Sequence, residues 1–397
     1  MIAYESLYIT LSLVKSFRNS ELGLKTYCGV VFYIDISFLP EFYIDIYILL
    51  IRHSLYEMRA VIVKKFGGPE VLQLVRNRAL PGGSLDKDQV LVRVCKAGVN
   101  PVDTYIREGK HIYVPQLPYV PGNDAAGIIE ALGPDIIRDG LKVRDRVFVI
   151  GRKRHSGASA EYLIANSCNV LPLDTDLSFS QGAAIGIPYF TAYRALILLA
   201  QAKPNETVLI HGASGSVGIA SIQIAKSLGM KVVGTAGSKE GLDLILEVGA
   251  DAVFNHGDPS SYSRINDIVG IENFKGFDVI IENLSNINLQ KDLNMISRGA
   301  RIMIVGCRGN IEINPRLLMF PEARIMGVAV TASTDDEWDL MEKAIQQGFK
   351  NKVLKPIIDK EYHLENIADA HKDIIESKGA KGKLILSLVD DFENFSN

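Results

Sequence analysis

Apolar and polar positions along this chain change rhythm more than once. From Met58 to about Ile187, short apolar stretches are separated by glycines and prolines. Gln89 to Val94 places Val90, Val92 and Val94 on one face, and Asp124 to Leu132 and Val143 to Ile150 behave similarly, which predicts strands of a β-rich, barrel-like domain. Gly186-Ile187-Pro188 marks its end, because proline donates nothing to a strand ladder but suits a helix start. A helix from about Tyr189 to Leu199 leads onward. Continuous apolar runs then replace alternation, as expected of parallel strands buried on both faces: Val208 to Ile210, Lys231 to Thr235, Phe277 to Glu282, Ala300 to Gly306 and finally Ala323 to Val330. The tail predicts a helix around Asp335 to Gly348, a strand near Lys355, a helix through His371 and a strand over Gly382 to Leu386.

The run Val208 to Gly218 carries the most specific chemistry. An apolar strand enters Gly212, Gly215 and Gly218, spaced G-x-x-G-x-x-G, and an amphipathic stretch to Leu228 follows. Glycines opening a helix after a strand offer free N–H groups and a positive dipole end to a pyrophosphate. The pattern predicts a dinucleotide site in a Rossmann domain, a doubly wound α/β sheet over residues 188–330. The second strand ends in Gly234-Thr235-Ala236-Gly237-Ser238-Lys239, with a helix beginning near Ser238. It lacks the Asp or Glu that binds the ribose of NAD, and Lys239 stands in a helix first turn where an anion beside it makes sense, so NADPH is the expected cofactor.

Residues 1–57 are crowded with Ile, Leu, Tyr and Phe but have no clear period. Asp35, Pro40, Glu41 and Asp45 interrupt the most apolar part, so neither a membrane span nor a secretory signal is expected. Met58-Arg59-Ala60-Val61 looks like a fresh beginning, and residues 1–57 read as an extension outside the fold or a wrongly chosen start. The remaining length suits two domains, 58–187 and 188–330, with 331–397 returning to the first. A formal net charge of -3 offers no general attraction to nucleic acid or anionic lipid. The four cysteines, Cys28, Cys95, Cys168 and Cys307, are scattered without a C-x-x-C pair, which fits a reducing, cytoplasmic setting.

Four segments carry a resemblance. Phe66-Gly67-Gly68-Pro69-Glu70-Val71-Leu72, Gly98 to Arg107 (GVNPVDTYIR), Gln181 to Arg194 (QGAAIGIPYFTAYR) and Ile311 to Arg316 (IEINPR) are similar to the zeta-crystallin-like, zinc-free quinone reductases of the medium-chain dehydrogenase/reductase superfamily. The resemblance spans Met58 to Leu388. It implies a GroES-like catalytic domain joined to the Rossmann domain, NADPH, a small quinone substrate and a homo-oligomer, either dimer or tetramer. It also implies cofactor contacts at Tyr105 beside the nicotinamide, Ser214, Gly215, Ser216 and Val217 at the pyrophosphate, and Gly237 with Lys239 near the 2′-phosphate. His256, Asn288, Val305, Gly306, Cys307, Arg308, Val328, Ala329 and Val330 would line the rest of the groove, and Tyr105 is the candidate catalytic residue.

Where zinc-dependent members of the superfamily hold a catalytic metal, this chain reads Gly98-Val99-Asn100 and Gly122-Asn123-Asp124, so no metal is expected. Asp103 and Asp124 read as hydrogen-bonded structural groups. Quinones accept hydride without a Lewis acid, because reduction creates an aromatic ring and the developing oxyanion needs only donors. Alternatives are an enal or enoyl-thioester reductase, or AU-rich RNA binding through a local basic patch such as Arg152-Lys153-Arg154-His155. Ser216 stands where relatives commonly have glycine, and Cys307 where they have serine.

Overall fold

A computed structural model describes residues 57–80, 85–262, 264–265, 276–376 and 379–388. The chain divides into two units, Met1–Glu57 and Met58–Asn397. The expectations for residues 1–57 lie outside the described residues apart from Glu57, and the architecture below is that of the second unit.

The described residues open with β1 (Glu57–Val63) and β2 (Leu72–Ala79), paired as a two-stranded sheet, and continue through β3 (Gln89–Val99), α1 (Pro101–Arg107), β4 (Asp124–Leu132), β5 (Arg146–Val149), β6 (Tyr162–Asn166) and β7 (Val170–Pro172). β3 outruns its alternating valines because its register against β4 shifts between Val94 and Lys96. A bulge there breaks the period of two, so the pattern fades while the strand goes on. β5 is shorter than the apolar run predicts. Val143 lies in a turn closed by Asp145 N to Lys142 O, with Arg144 at φ 81°.

Next come α2 (Phe179–Gly182) and α3 (Gly186–Tyr193), which continues as a π-helical turn over Arg194–Leu199 rather than as one α-helix from Tyr189. The second sheet then unfolds in sequence: β8 (Thr207–Ile210), α4 (Ser216–Ser227), β9 (Lys231–Ala236), α5 (Lys239–Val248), β10 (Ala252–Asn255), β11 (Phe277–Glu282), α6 (Ser285–Asp292), β12 (Ile296–Ile304), α7 (Arg316–Met319) and β13 (Arg324–Gly327). Its strands are parallel and ordered β10-β9-β8-β11-β12-β13. That is the doubly wound order, with its switch point between β8 and β11. The apolar runs read as strands are present, with β12 starting earlier than Ala300 and β13 ending at Gly327.

The tail differs from expectation in one respect that matters for the domains. α8 (Asp335–Lys350) bridges the two halves: Trp338, Met341, Ile345 and Phe349 are buried on one face, while Glu342 pairs with Arg138 and Asp335 and Asp339 pair with Arg152 of the first domain. The Phe190 ring lies 5.4 Å from Trp338 and that of Tyr189 lies 5.2 Å from Phe349. Burying such side chains contributes roughly 1.5–3 kcal/mol each, which holds the helix against α3. The expected strand near Lys355 begins later, because Pro356 removes a donor. β14 (Ile358–His363), α9 (Ile367–Glu376) and β15 (Lys383–Ser387) rejoin the first domain, completing a sheet ordered β14-β15-β3-β4-β5-β7, with β6 on β3.

Candidate active site at the strand ends

The crevice at the switch point opens where β8 runs into His211-Gly212 and β11 into Asn283. The two exits are tied together, as Asn283 Nδ2 donates to His211 O at 2.8 Å. Of the three motif glycines only Gly212 takes a positive φ, 60°, and it turns the chain. Gly218 is required for packing, since a Cβ there would lie 2.5 Å from Ala213 Cα. Ser216 therefore sits without strain. The first bond of α4 is Ile219 N to Gly215 O. The amides of Ser216, Val217 and Gly218 precede it and have no helical acceptor, which is the cradle a phosphate group fits.

The other expected residues fall into small groups. A Cβ on Gly237 would meet His256 Nε2 at 2.8 Å, so glycine there lets the histidine lie against the end of β9. Ser238 caps α5, its Oγ accepting from Gly241 N at 3.1 Å. Lys239 is exposed and paired with Asp243 at 2.6 Å. Asn288 is buried, accepting from the Tyr262 hydroxyl at 3.0 Å and donating to Glu282 at 3.3 Å. Val305 N and Gly306 N both donate to Glu282 O, and a Cβ on Gly306 would lie 2.2 Å from Asn283 O. Cys307 is exposed, and a hydrogen bond from Ser285 holds its thiol below the usual range. Arg308 N donates to Asn286, while its guanidinium reaches the Ile375 carbonyl at 3.0 Å. Val328 N donates to Ile304 O; Ala329 precedes a 3₁₀ turn over Val330–Ala332, and Val330 is core. Tyr105 lies on α1, half-buried, and its phenol makes no hydrogen bond among the described residues.

Two buried polar clusters escaped the sequence pattern. In the first, Lys383 at the start of β15 inserts its ammonium between Asn100 Oδ1, at 2.5 Å, and Asp124 Oδ2, at 2.9 Å. Asp124 also accepts from Asn100 Nδ2 and Ile187 N, both at 2.9 Å. Asp103 accepts from Asn100 N and Asn123 Nδ2, and burial beside Asp124 pushes its carboxyl up to about 6. In the second, His211 Nε2 lies 2.8 Å from Asp292 Oδ1 and 3.9 Å from Glu282. Burial, with Asp292 nearby, raises Glu282 to about 7. Burial alone would depress His211, but the two carboxylates outweigh it and raise it. In both clusters the partners lie far apart in sequence, and a lysine opening an apolar strand reads locally as a solvated edge.

Three members of the basic run are engaged on the protein's own surface: Arg152 bridges Asp335 and Asp339, Arg154 stacks over Tyr113 and His155 bonds the Asn123 carbonyl. A cavity of about 850 Å³ lined in part by Lys96, Gln181, Gln223, Glu247 and Glu361 lies elsewhere and includes none of the expected site residues. The strand-end crevice is the stronger candidate, because the free amides converge there.

A GroES-like sheet joined to this parallel sheet, with the glycine turn at its switch point, defines a nucleotide-binding member of the medium-chain dehydrogenase/reductase superfamily. The family described as alcohol dehydrogenase GroES-like domain matches residues 86–175, and that described as zinc-binding dehydrogenase matches residues 216–347. Among solved structures, an NAD-dependent alcohol dehydrogenase is 26% identical with a TM-score of 0.75, covering 84% of this chain and 100% of that one. A quinone oxidoreductase of Pseudomonas syringae is 25% identical with a TM-score of 0.72, covering 83% and 99%. The quinone oxidoreductase of Homo sapiens is 50% identical over 332 residues, 83% of this chain and 98% of that one, and that of Sus scrofa is 51% identical over the same length. The chain belongs to the quinone oxidoreductase family.

Proposed function

We propose that this chain reduces quinones with hydride from NADPH, without a metal. The observation that carries this reading is the Lys383–Asp124–Asn100 network, which occupies the region where the superfamily's zinc enzymes hold their metal. An amide and a carboxylate already bonded to an ammonium are a poor donor set for a divalent cation. A bound dihydronicotinamide would supply the hydride. The amides of Ser216, Val217 and Gly218 suit its pyrophosphate, and the end of β9, Ala236-Gly237-Ser238, has no carboxylate to repel a 2′-phosphate. The Lys239–Asp243 pair is exposed and screened by water, so the lysine is free to exchange partners. Among the described residues the Tyr105 phenol has no acceptor or donor of its own, leaving it available to a quinone oxygen. The reading includes a homo-oligomer in the cytoplasm, supported by the family resemblance and the scattered thiols, and light scattering tests the assembly.

The test is NADPH oxidation with an ortho-quinone, a 2-alkenal and an enoyl thioester in parallel, plus NADP reduction by alcohols, each with and without a chelator. Chelator-resistant quinone turnover without alcohol oxidation is expected, because the Lys383–Asp124–Asn100 network supplies no Lewis acid to lower an alkoxide's pKa. A brisk enoyl rate beside quinone inactivity would replace the proposal with an enoyl reductase. Chelator sensitivity would refute the metal-free step.

A further inference from the structure

An acid-free strand end suits cations, and Lys239, in an exposed pair with Asp243, is one of them. The structure brings a second cation from the other end of the chain. Before β15 the backbone crosses from the first domain over the nucleotide turns. Gly382 N donates to Ser214 O at 2.9 Å, and Gly382 bridges Gly215. Gly379 lies so close to the cap of α5 that a Cβ on it would sit 2.9 Å from Ser238 Oγ. Gly382 takes φ 119° and Gly379 φ 154°, so glycine at both ends lets the segment lie flat against the two loops. Ser214 and Ser238 are themselves neighbours, since a Cβ on Gly241 would lie 3.2 Å from each hydroxyl oxygen. The segment therefore covers the place where the pyrophosphate turn meets the end of β9.

Lys381 is the cation on this strap. Its backbone N–H is fixed to Asp359 Oδ2 at 3.1 Å, while its side chain is exposed and makes no ion pair or hydrogen bond among the described residues. We propose that Lys381 is a specificity-determining residue that binds the 2′-phosphate of the cofactor's adenosine half, supplied by the first domain across the crevice. The inference rests on the NADPH reading above. A lysine carried on a strap that touches Ser214 and Ser238 is long enough to bring its ammonium to the extra phosphate of NADPH and gains nothing from NADH.

The test is direct binding, followed by cofactor fluorescence with no substrate present, of NADPH and NADH to the wild type, Lys381→Ala, Lys381→Arg and Lys239→Ala. Lys381→Ala is expected to weaken NADPH roughly 5- to 20-fold with NADH unchanged, an effect shrinking as salt rises, and Lys381→Arg should retain most of the preference. If Lys381→Ala weakens both cofactors equally, or neither, while the wild type prefers NADPH, the role of Lys381 is overturned and the NADPH reading stands. If the wild type binds NADH as tightly as NADPH, both fall.

Discussion

Replacing Lys383 with methionine tests whether the buried network holds the active-site region together. Lys383 and Asp124 have side-chain exposures of 1% and 0%, so water cannot take over the role of the lost ammonium. Lys383→Met keeps the stem and leaves the Asp124 carboxylate with only Asn100 Nδ2 and Ile187 N as donors. Breaking one side of a buried pair costs about 3–5 kcal/mol, chiefly from the stranded charge. For a protein of this size that lowers the melting temperature by roughly 4–7 °C. The double variant Lys383→Met with Asp124→Asn removes the stranded charge and should recover about 2 kcal/mol relative to the sum of the single changes. Urea unfolding would be followed by circular dichroism and by the fluorescence of Trp338, the single tryptophan, which is buried against Phe190. A loss below about 1 kcal/mol for Lys383→Met, or strict additivity in the double variant, would refute the argument that this is a desolvated, mutually dependent pair.

Tyr105→Phe removes one phenolic hydroxyl and should lower quinone turnover about 3- to 30-fold with little change in NADPH binding; an unchanged rate would dissociate the hydroxyl from the substrate oxygen. Glu282, raised to about 7 mainly by burial, keeps a proton that the unfolded chain has lost, so stability should decline as pH rises from about 4.5 towards 7. His211, also raised, acts in the same direction, and a Tm–pH series should be flatter for Glu282→Gln; an identical slope would show that Glu282 does not titrate there. Among the described cysteines, exposed Cys307 with its lowered thiol pKa should be alkylated first and buried Cys95, pushed up to about 11, last. NADPH should protect Cys307 in a mass-spectrometric footprint if residues 305–308 line the cofactor groove, and undiminished labelling would argue against that lining.

Local signals determined a good deal of this protein. A strand, three glycines and a helix between Val208 and Leu228 suffice to specify the turn, because its dihedral at Gly212 and its close packing at Gly218 depend on neighbours in sequence. The same holds for the proline-marked start of α3 and for the continuous apolar runs that became parallel strands. Signals broke down where the period did, as at the bulge between Val94 and Lys96, or where a helix is held by partners distant in sequence, as α8 is by Arg138 and Arg152. Tertiary structure alone decided the chemistry of the charged interior. Lys383 meets Asp124 across 259 positions and His211 meets Asp292 across 81, and the sequence-distant strap at Gly379 and Gly382 settles on Ser238 and Ser214. A buried charge is tolerated only where a partner is delivered to it, and that delivery depends on how the strands are ordered, which no stretch of neighbouring residues records.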